Sequence, residues 1–204
     1  MRRWPLHTTL IVSLTMLLAA CLSSSPPSRF YTLQAEESAG DAGAVVIGSG
    51  WVGVGPIGLP SYLDRPQIVT RGEGHRLVVH EFDRWADPLR GRVLDVLMEN
   101  VVALSKSKRV TPYPWPADLQ PDRRVMGEIA AFEAGPDGEV LMKVRWLVQV
   151  PGKPDAVQVH TGEYREAAPP GDFDAIAAAM SRALARWSLD IATALAERNP
   201  PGGA

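Results

Sequence analysis

Residues 50–70 read GWVGVGPIGLPSYLDRPQIVT, and two architectures compete for that stretch. Gly53, Gly55 and Gly58 spell G-x-G-x-x-G, the spacing of a phosphate-cradling loop between a strand and a helix. Such a loop works only if a helix starts directly after the glycines, because the helix N-terminus supplies the N–H groups and the dipole that hold a pyrophosphate. Here Leu59-Pro60-Ser61-Tyr62-Leu63-Asp64-Arg65-Pro66 follows. Pro60 and Pro66 leave room for a single helical turn, and Pro56 removes an N–H from inside the motif. Nucleotide binding is therefore rejected, and the glycines and prolines read as a turn-rich connection.

The flanks of that connection read as sheet. Ala44 to Val54 is apolar and Val-rich, the pattern of a buried strand. Gln67 to Arg71 reads as a second strand and His75 to Glu81 as a third, with Gly72-Glu73-Gly74 as the hairpin turn between them. Further upstream, Arg29 to Leu33 is a short aromatic and β-branched strand, followed by the polar, acidic loop Gln34 to Gly43.

Downstream, Asp87-Pro88 opens a helix, with Asp as the expected cap and Pro tolerated in the first turn. Leu89, Val93, Val96, Leu97, Val101 and Leu104 recur at three- and four-residue steps and make one apolar face. The helix is expected to end near Ser105, where Lys106 and Lys108 suit its negative end. Pro112, Pro114 and Pro116 forbid helix in the next segment. Val125–Glu133 and Glu139–Val150 form a second hairpin around Gly135-Pro136-Asp137-Gly138, and Val157–Glu166 is a further strand. A final helix runs from Asp172 to Arg198, with Phe173, Ile176, Met180, Leu184, Trp187, Ile191 and Leu195 as its stripe. The expected class is α+β (mixed α/β): one sheet of about five to six strands packed against two long amphipathic helices.

The N-terminus is built differently. Met1-Arg2-Arg3 is basic, and Leu10 to Ala20 is an apolar run interrupted only by Ser13 and Thr15. Eleven residues of helix reach roughly 16 Å, about half a bilayer core, which fits the apolar region of a secretory signal and not a spanning helix. The run ends in Leu18-Ala19-Ala20-Cys21, a lipobox, with cleavage expected between Ala20 and Cys21. Small side chains give the peptidase access to the bond, and the thiol is the nucleophile that takes up the diacylglycerol. Cys21 is the single cysteine among 204 residues, which excludes an internal disulfide and thiolate metal clusters. Each buried acyl CH₂ contributes about 0.8 kcal/mol, so several chains on one cysteine anchor stably. The expected organisation is a signal peptide over 1–20, a lipidated Cys and Ser/Pro tether over 21–28, a domain over 29–198 and a disordered tail over 199–204.

Hydrophobic residues make up 46% of the chain and charged residues 22%. Cleavage removes Arg2 and Arg3, leaving 19 basic against 23 acidic residues, so nothing points to nucleic acid. His75, His80 and His160 fall on expected strands without the spacing of a zinc site, and no metal or other cofactor is expected beyond the diacylglycerol and N-acyl chain on Cys21. Ser105-Lys106-Ser107-Lys108 lacks a base and an oxyanion loop and reads as a helix end. Glu128, Glu133 and Glu139 flank a hairpin and read as solvated. No nucleophile–base pair emerges, so the chain is expected not to be an enzyme. Trp85 reads as a staple on the first helix, and Trp146 and Trp187 as core.

The pattern Val52-x-Val54-x-Pro56…Leu59-Pro60-x-Tyr62-Leu63-Asp64-Arg65-Pro66-Gln67-Ile68-Val69 resembles the ABC-type transport auxiliary lipoproteins, the PqiC-like (YmbA-like) family. The lipobox, Phe30-Tyr31-Thr32-Leu33 and Trp85-Ala86-Asp87-Pro88-Leu89 agree with it. The resemblance implies a lipid-anchored, non-catalytic periplasmic subunit that binds an MCE-domain protein of an intermembrane lipid transporter and supports phospholipid transport and envelope integrity. It also implies possible homo-oligomers. Leu22 after the cysteine favours the periplasmic face of the outer membrane, by analogy with enterobacterial sorting. Leu59, Pro60, Tyr62, Leu63 and Trp115 are the candidate partner contacts; for Tyr62 and Leu63 the competing reading is a loop folded back onto the core. The alternative function is a carrier that holds a lipid between its own sheet and helices.

Overall fold

The computed structural model describes residues 25–36 and 45–197. The signal segment, Ala20 and Cys21, the start of the tether, most of the acidic loop and the C-terminal tail lie outside the described residues.

The elements follow in the order β1 (Arg29–Tyr31), β2 (Val52–Gly58), β3 (Gln67–Arg71), β4 (Leu77–Trp85), α1 (Leu89–Ser105), β5 (Val110–Pro112), β6 (Arg123–Ala134), β7 (Glu139–Gln149), β8 (Gln158–Ala167) and α2 (Phe173–Glu197). The class is α+β, and a five-stranded sheet in the order β5-β2-β6-β7-β8 packs with both helices. The remaining strands form a second, three-stranded sheet in the order β1-β4-β3. Both expected hairpins are antiparallel pairs, β3 with β4 and β6 with β7, and β8 adds antiparallel to β7.

The helix periodicities translate directly into packing. Leu89, Val93, Val96, Leu97, Val101 and Leu104 of α1 are all buried, and so are the seven stripe residues of α2. Gly127 on β6 makes space for the largest of them: a Cβ there would sit 3.0 Å from the Trp187 ring. Asp172 caps α2 as its sequence suggests, accepting from the Ala175 N–H at 3.0 Å. At α1 the expectation fails. Pro88 occupies the cap position, and no side chain, Asp87 included, bonds to the first turn.

The glycine motif is the main departure. The strand lies over Val52–Gly58 rather than 44–54, so the glycines belong to β2 itself. β2 runs parallel to both β5 and β6 and sits inside the sheet. Its glycines serve close approach: a Cβ on Gly53 would meet the Trp115 indole at 2.5 Å, and one on Gly55, at φ +109°, would meet Tyr113 at 2.8 Å. Pro56 is tolerated inside a sheet because the register shifts between Val54 and Ile57, so no ladder bond is asked of it. No helix follows Gly58; a turn at Ser61–Leu63 does, and the phosphate-loop geometry is absent from this segment. The proline-rich stretch supplies β5, a strand the sequence did not announce. Trp85 ends β4 and is 6% exposed, so it is a strand residue in the core.

Candidate functional site

The loop after β2 folds back over the outer face of the sheet. Leu59 and Leu63 are buried, Pro60 and Tyr62 half-buried. Arg90 of α1 pins the loop, donating through Nη2 to Asp64 Oδ2 at 2.8 Å and to the Leu59 carbonyl at 3.2 Å. Of the sequence-selected contacts, Pro60 and parts of Tyr62 and Trp115 remain accessible, while Leu59 and Leu63 face inward.

Beneath the loop lies a group that sequence reasoning placed in solvent. Glu133 on β6 is 3% exposed. Its Oε2 accepts from the Tyr62 hydroxyl at 2.8 Å and from the Phe132 N–H at 2.8 Å. Its Oε1 accepts from Arg71 Nε at 3.0 Å and from Arg71 Nη2. One carboxylate thus ties β3 of the small sheet and the 59–66 loop to β6 of the large sheet. Burial, and then the bond to Glu133, pushes the Tyr62 phenol up to about 12; the same carboxylate raises Arg71. A phenol held more firmly protonated is a poorer base and a poorer nucleophile. The cluster is a clamp, and it makes the loop a fixed part of the surface.

Beside it, Trp115 is half-buried over Gly53 and Pro121. Its ring meets Tyr113 edge-on at 5.3 Å and carries the Arg124 guanidinium 4.7 Å from its centroid. Its indole N–H is buried without a hydrogen-bond partner among the described residues. Arg124 and Met126 alternate along β6 onto the same face. The Trp115 platform therefore continues into a groove of about 400 Å³ lined by Pro56, Ile57, Met126, Leu147 and Val159, with Arg90, Glu128 and Arg145 at its rim. Val159 is 53% exposed. This surface was missed in the sequence, although Met126, Leu147 and Val159 carried a signal: each is apolar at the strand positions that alternate away from the core.

The other candidates are dispersed. His80 bonds Thr70 Oγ1 through Nε2 at 2.8 Å and lies edge-on to Phe173, where burial lowers its pKa. His160 stacks on Trp146 at 4.2 Å, and His75 is exposed in the hairpin turn. Among the described residues no three potential ligands come together for a metal. Ser105 Oγ donates to the Val101 carbonyl at 2.6 Å, an ordinary helix-end bond. Asp83, buried at 6%, accepts from the Tyr31 hydroxyl at 3.0 Å and pairs with Arg29 at 2.8 Å. The space between sheet and helices, where a carried lipid would sit, holds Phe132, Met142, Leu184 and Trp187, none more than 1% exposed. No helix among the described residues is long and apolar enough to cross a membrane.

A family model described as ABC-type transport auxiliary lipoprotein component matches residues 31–192. No curated protein sequence matches the chain. Among solved structures, the crystal structure of an uncharacterized protein aligns at TM-score 0.66 and 18% identity, covering 83% of this chain and 99% of that one. Protein XCC0632 from Xanthomonas campestris, of the DUF330 family model, aligns at TM-score 0.64 and 16% identity, covering 83% and 97%. At such identities the similarity shows a shared fold.

Proposed function

Because the chain belongs to the family of ABC-type transport auxiliary lipoprotein components, we propose that it is the lipid-anchored, non-catalytic subunit of an MCE-type intermembrane lipid transporter. In this reading Cys21 carries the acyl chains and holds the protein to the periplasmic face of the outer membrane. The folded domain then grips an MCE-domain partner, and the assembly moves phospholipid. One observation carries the reading: the family match begins at residue 31, directly downstream of a lipobox cysteine at 21.

The geometry supports a gripping role. The buried carboxylates Glu133 and Asp83 are engaged in structural pairs. A concave apolar surface with a charged rim is the groove between Pro56 and Val159, continued by Trp115. Aromatic and Arg side chains around an apolar centre are the composition of interface hot spots.

The test is co-purification of the mature protein with the MCE-domain proteins of the same envelope. Removing a central anchor typically costs about 2 kcal/mol or more, roughly thirtyfold in affinity. Val159→Asp and Trp115→Ala are therefore expected to weaken capture by that factor. Capture of no MCE-domain protein by the native, lipidated chain would refute the reading. Undiminished capture by both variants would move the contact elsewhere on the domain.

A further inference from the structure

β1 runs parallel to β4, with Arg29 opposite Asp83 and Tyr31 opposite Trp85. The chain that leads into β1 therefore arrives from the side of the sheet where β4 starts, the side that carries the β3–β4 turn. Pro26 and Pro27, just before β1, lack the N–H groups needed to extend its ladder. Arg29 is eight residues from Cys21, a covalent reach of at most ~28 Å. From Asp83 the hairpin extends a further ~20 Å in that direction, back to Leu77. The chain before β1 is thus directed toward the β3–β4 turn, and its covalent reach to Cys21 is comparable with the strand length from Asp83 to Leu77.

The start of β4 exposes apolar side chains. Leu77, Val78 and Val79 are 40%, 41% and 42% exposed, opposite Arg71, Thr70 and Val69 in the ladder. Consecutive strand residues point to opposite faces, so each face of β4 carries exposed apolar side chains at this level, Leu77 and Val79 beside Arg71 on one and Val78 beside Thr70 on the other. Because β1 pairs only with Asp83–Trp85, the stretch Leu77–Phe82 also has no strand on its other edge among the described residues. Phe30, on the same sheet opposite Arg84, is 64% exposed. A rigid partner stacked on one face would cover Val78 or its two neighbours, not all three. A fluid apolar phase closes around both faces and the edge together.

We propose that the open edge of the three-stranded sheet formed by β1 and the unpaired stretch of β4, carrying Phe30 and Leu77–Val79, rests in the lipid surface to which Cys21 is attached. The proposal rests on the lipid-anchored reading above. The anchor supplies proximity, so a modest apolar contact suffices to orient the domain, because tethering makes the second contact intramolecular. Glu73, His75 and Arg76 of the turn lie among headgroups, with the apolar collar beside them. The domain is thereby oriented with the Pro56–Val159 groove free for a protein partner.

The test uses the full mature chain, acylated on Cys21 and reconstituted into vesicles of phosphatidylethanolamine and phosphatidylglycerol. Acylation blocks the native thiol, so Phe30→Cys, Val78→Cys, Val79→Cys and, as an aqueous reference, Val159→Cys each offer one site for a nitroxide. Collision with oxygen, which concentrates in lipid, is compared with collision with a soluble nickel chelate. The expected oxygen-to-nickel ratio is several-fold higher at positions 30, 78 and 79 than at 159. Equal ratios at all four sites, with the protein floating with the vesicles, overturn the proposal and leave the anchor standing. Shielding of 78 or 79 alone, from both reagents, assigns that face to a second copy or another protein and also overturns it. Failure to float at all overturns the anchor reading and the proposal together.

Discussion

Replacing Glu133 by Ala removes the acceptor that joins the two sheets, and the loss can be worked from its partners. The carboxylate is 3% exposed and takes bonds from Tyr62, Phe132 and Arg71. Without it, the Tyr62 hydroxyl and the Phe132 N–H lose their acceptor, at about 1–3 kcal/mol for each group left buried and unsatisfied. The Arg71 side chain is 43% exposed and rehydrates, so its charge adds little. The expected destabilisation is about 3–4 kcal/mol, at the low end of the range for breaking a buried pair. For a domain of this size that lowers Tm by roughly 10 °C. The assay is thermal unfolding of the domain followed by circular dichroism, with Tyr62→Phe and the double variant alongside. The double variant is expected to lose less than the sum of the singles by about 1–2 kcal/mol, because both singles break the same bond. A Tm loss under about 3 °C for Glu133→Ala, or strict additivity, would refute the clamp.

The same bond makes an alkaline prediction. The Tyr62 phenol is raised above its ordinary value of 10.0 to about 12 in the folded protein, so its contribution is complete below pH 10 and is lost as pH climbs toward 12. Tyr164, pushed up by burial and its bond to Asp190, weakens in the same direction. Tyr62→Phe should therefore flatten only part of the stability loss in pH-dependent denaturation. Gly53→Ala drives a methyl into Trp115 and Pro121 and is expected to cost about 1–3 kcal/mol. Tryptophan emission should shift to the red as the indole lifts, and an unchanged spectrum with unchanged stability would contradict the close packing. Asp172→Ala removes the α2 cap and should cost about 1 kcal/mol, read as a few degrees of Tm. Asp87→Ala, at a residue that caps nothing, should leave Tm unchanged.

What the sequence disclosed was local. The two helices and both hairpins follow from residue spacing over ten to twenty positions, and the α1 and α2 stripes are buried where the spacing put them. β2 was displaced because its placement depends on parallel neighbours about 60 and 70 residues downstream, Val110 and Arg123. Nothing near Val52 reports that pairing, and glycine and proline argue locally against a strand. The division into two sheets is equally non-local. Glu133 read as solvated because charge at an alternating position normally faces water. Only the return of Tyr62 and Arg71, 71 and 62 residues upstream, closes over it. For the candidate site, the Pro60–Leu63 loop was visible, but its anchoring was not. The Pro56–Val159 groove is assembled from β2, β6, β7 and β8, elements that only the sheet order brings together.

The proposed function requires a folded domain that works while attached to a membrane through one sulfur. Intact mass measurement of the protein extracted from membranes, with fractionation of the Cys21→Ala variant beside it, tests this most directly. The account predicts a chain that begins at Cys21 and carries a diacylglycerol and an N-acyl group, and a variant that leaves the membrane fraction. A native chain of unmodified mass, or a variant that stays as firmly bound as the native protein, would contradict it.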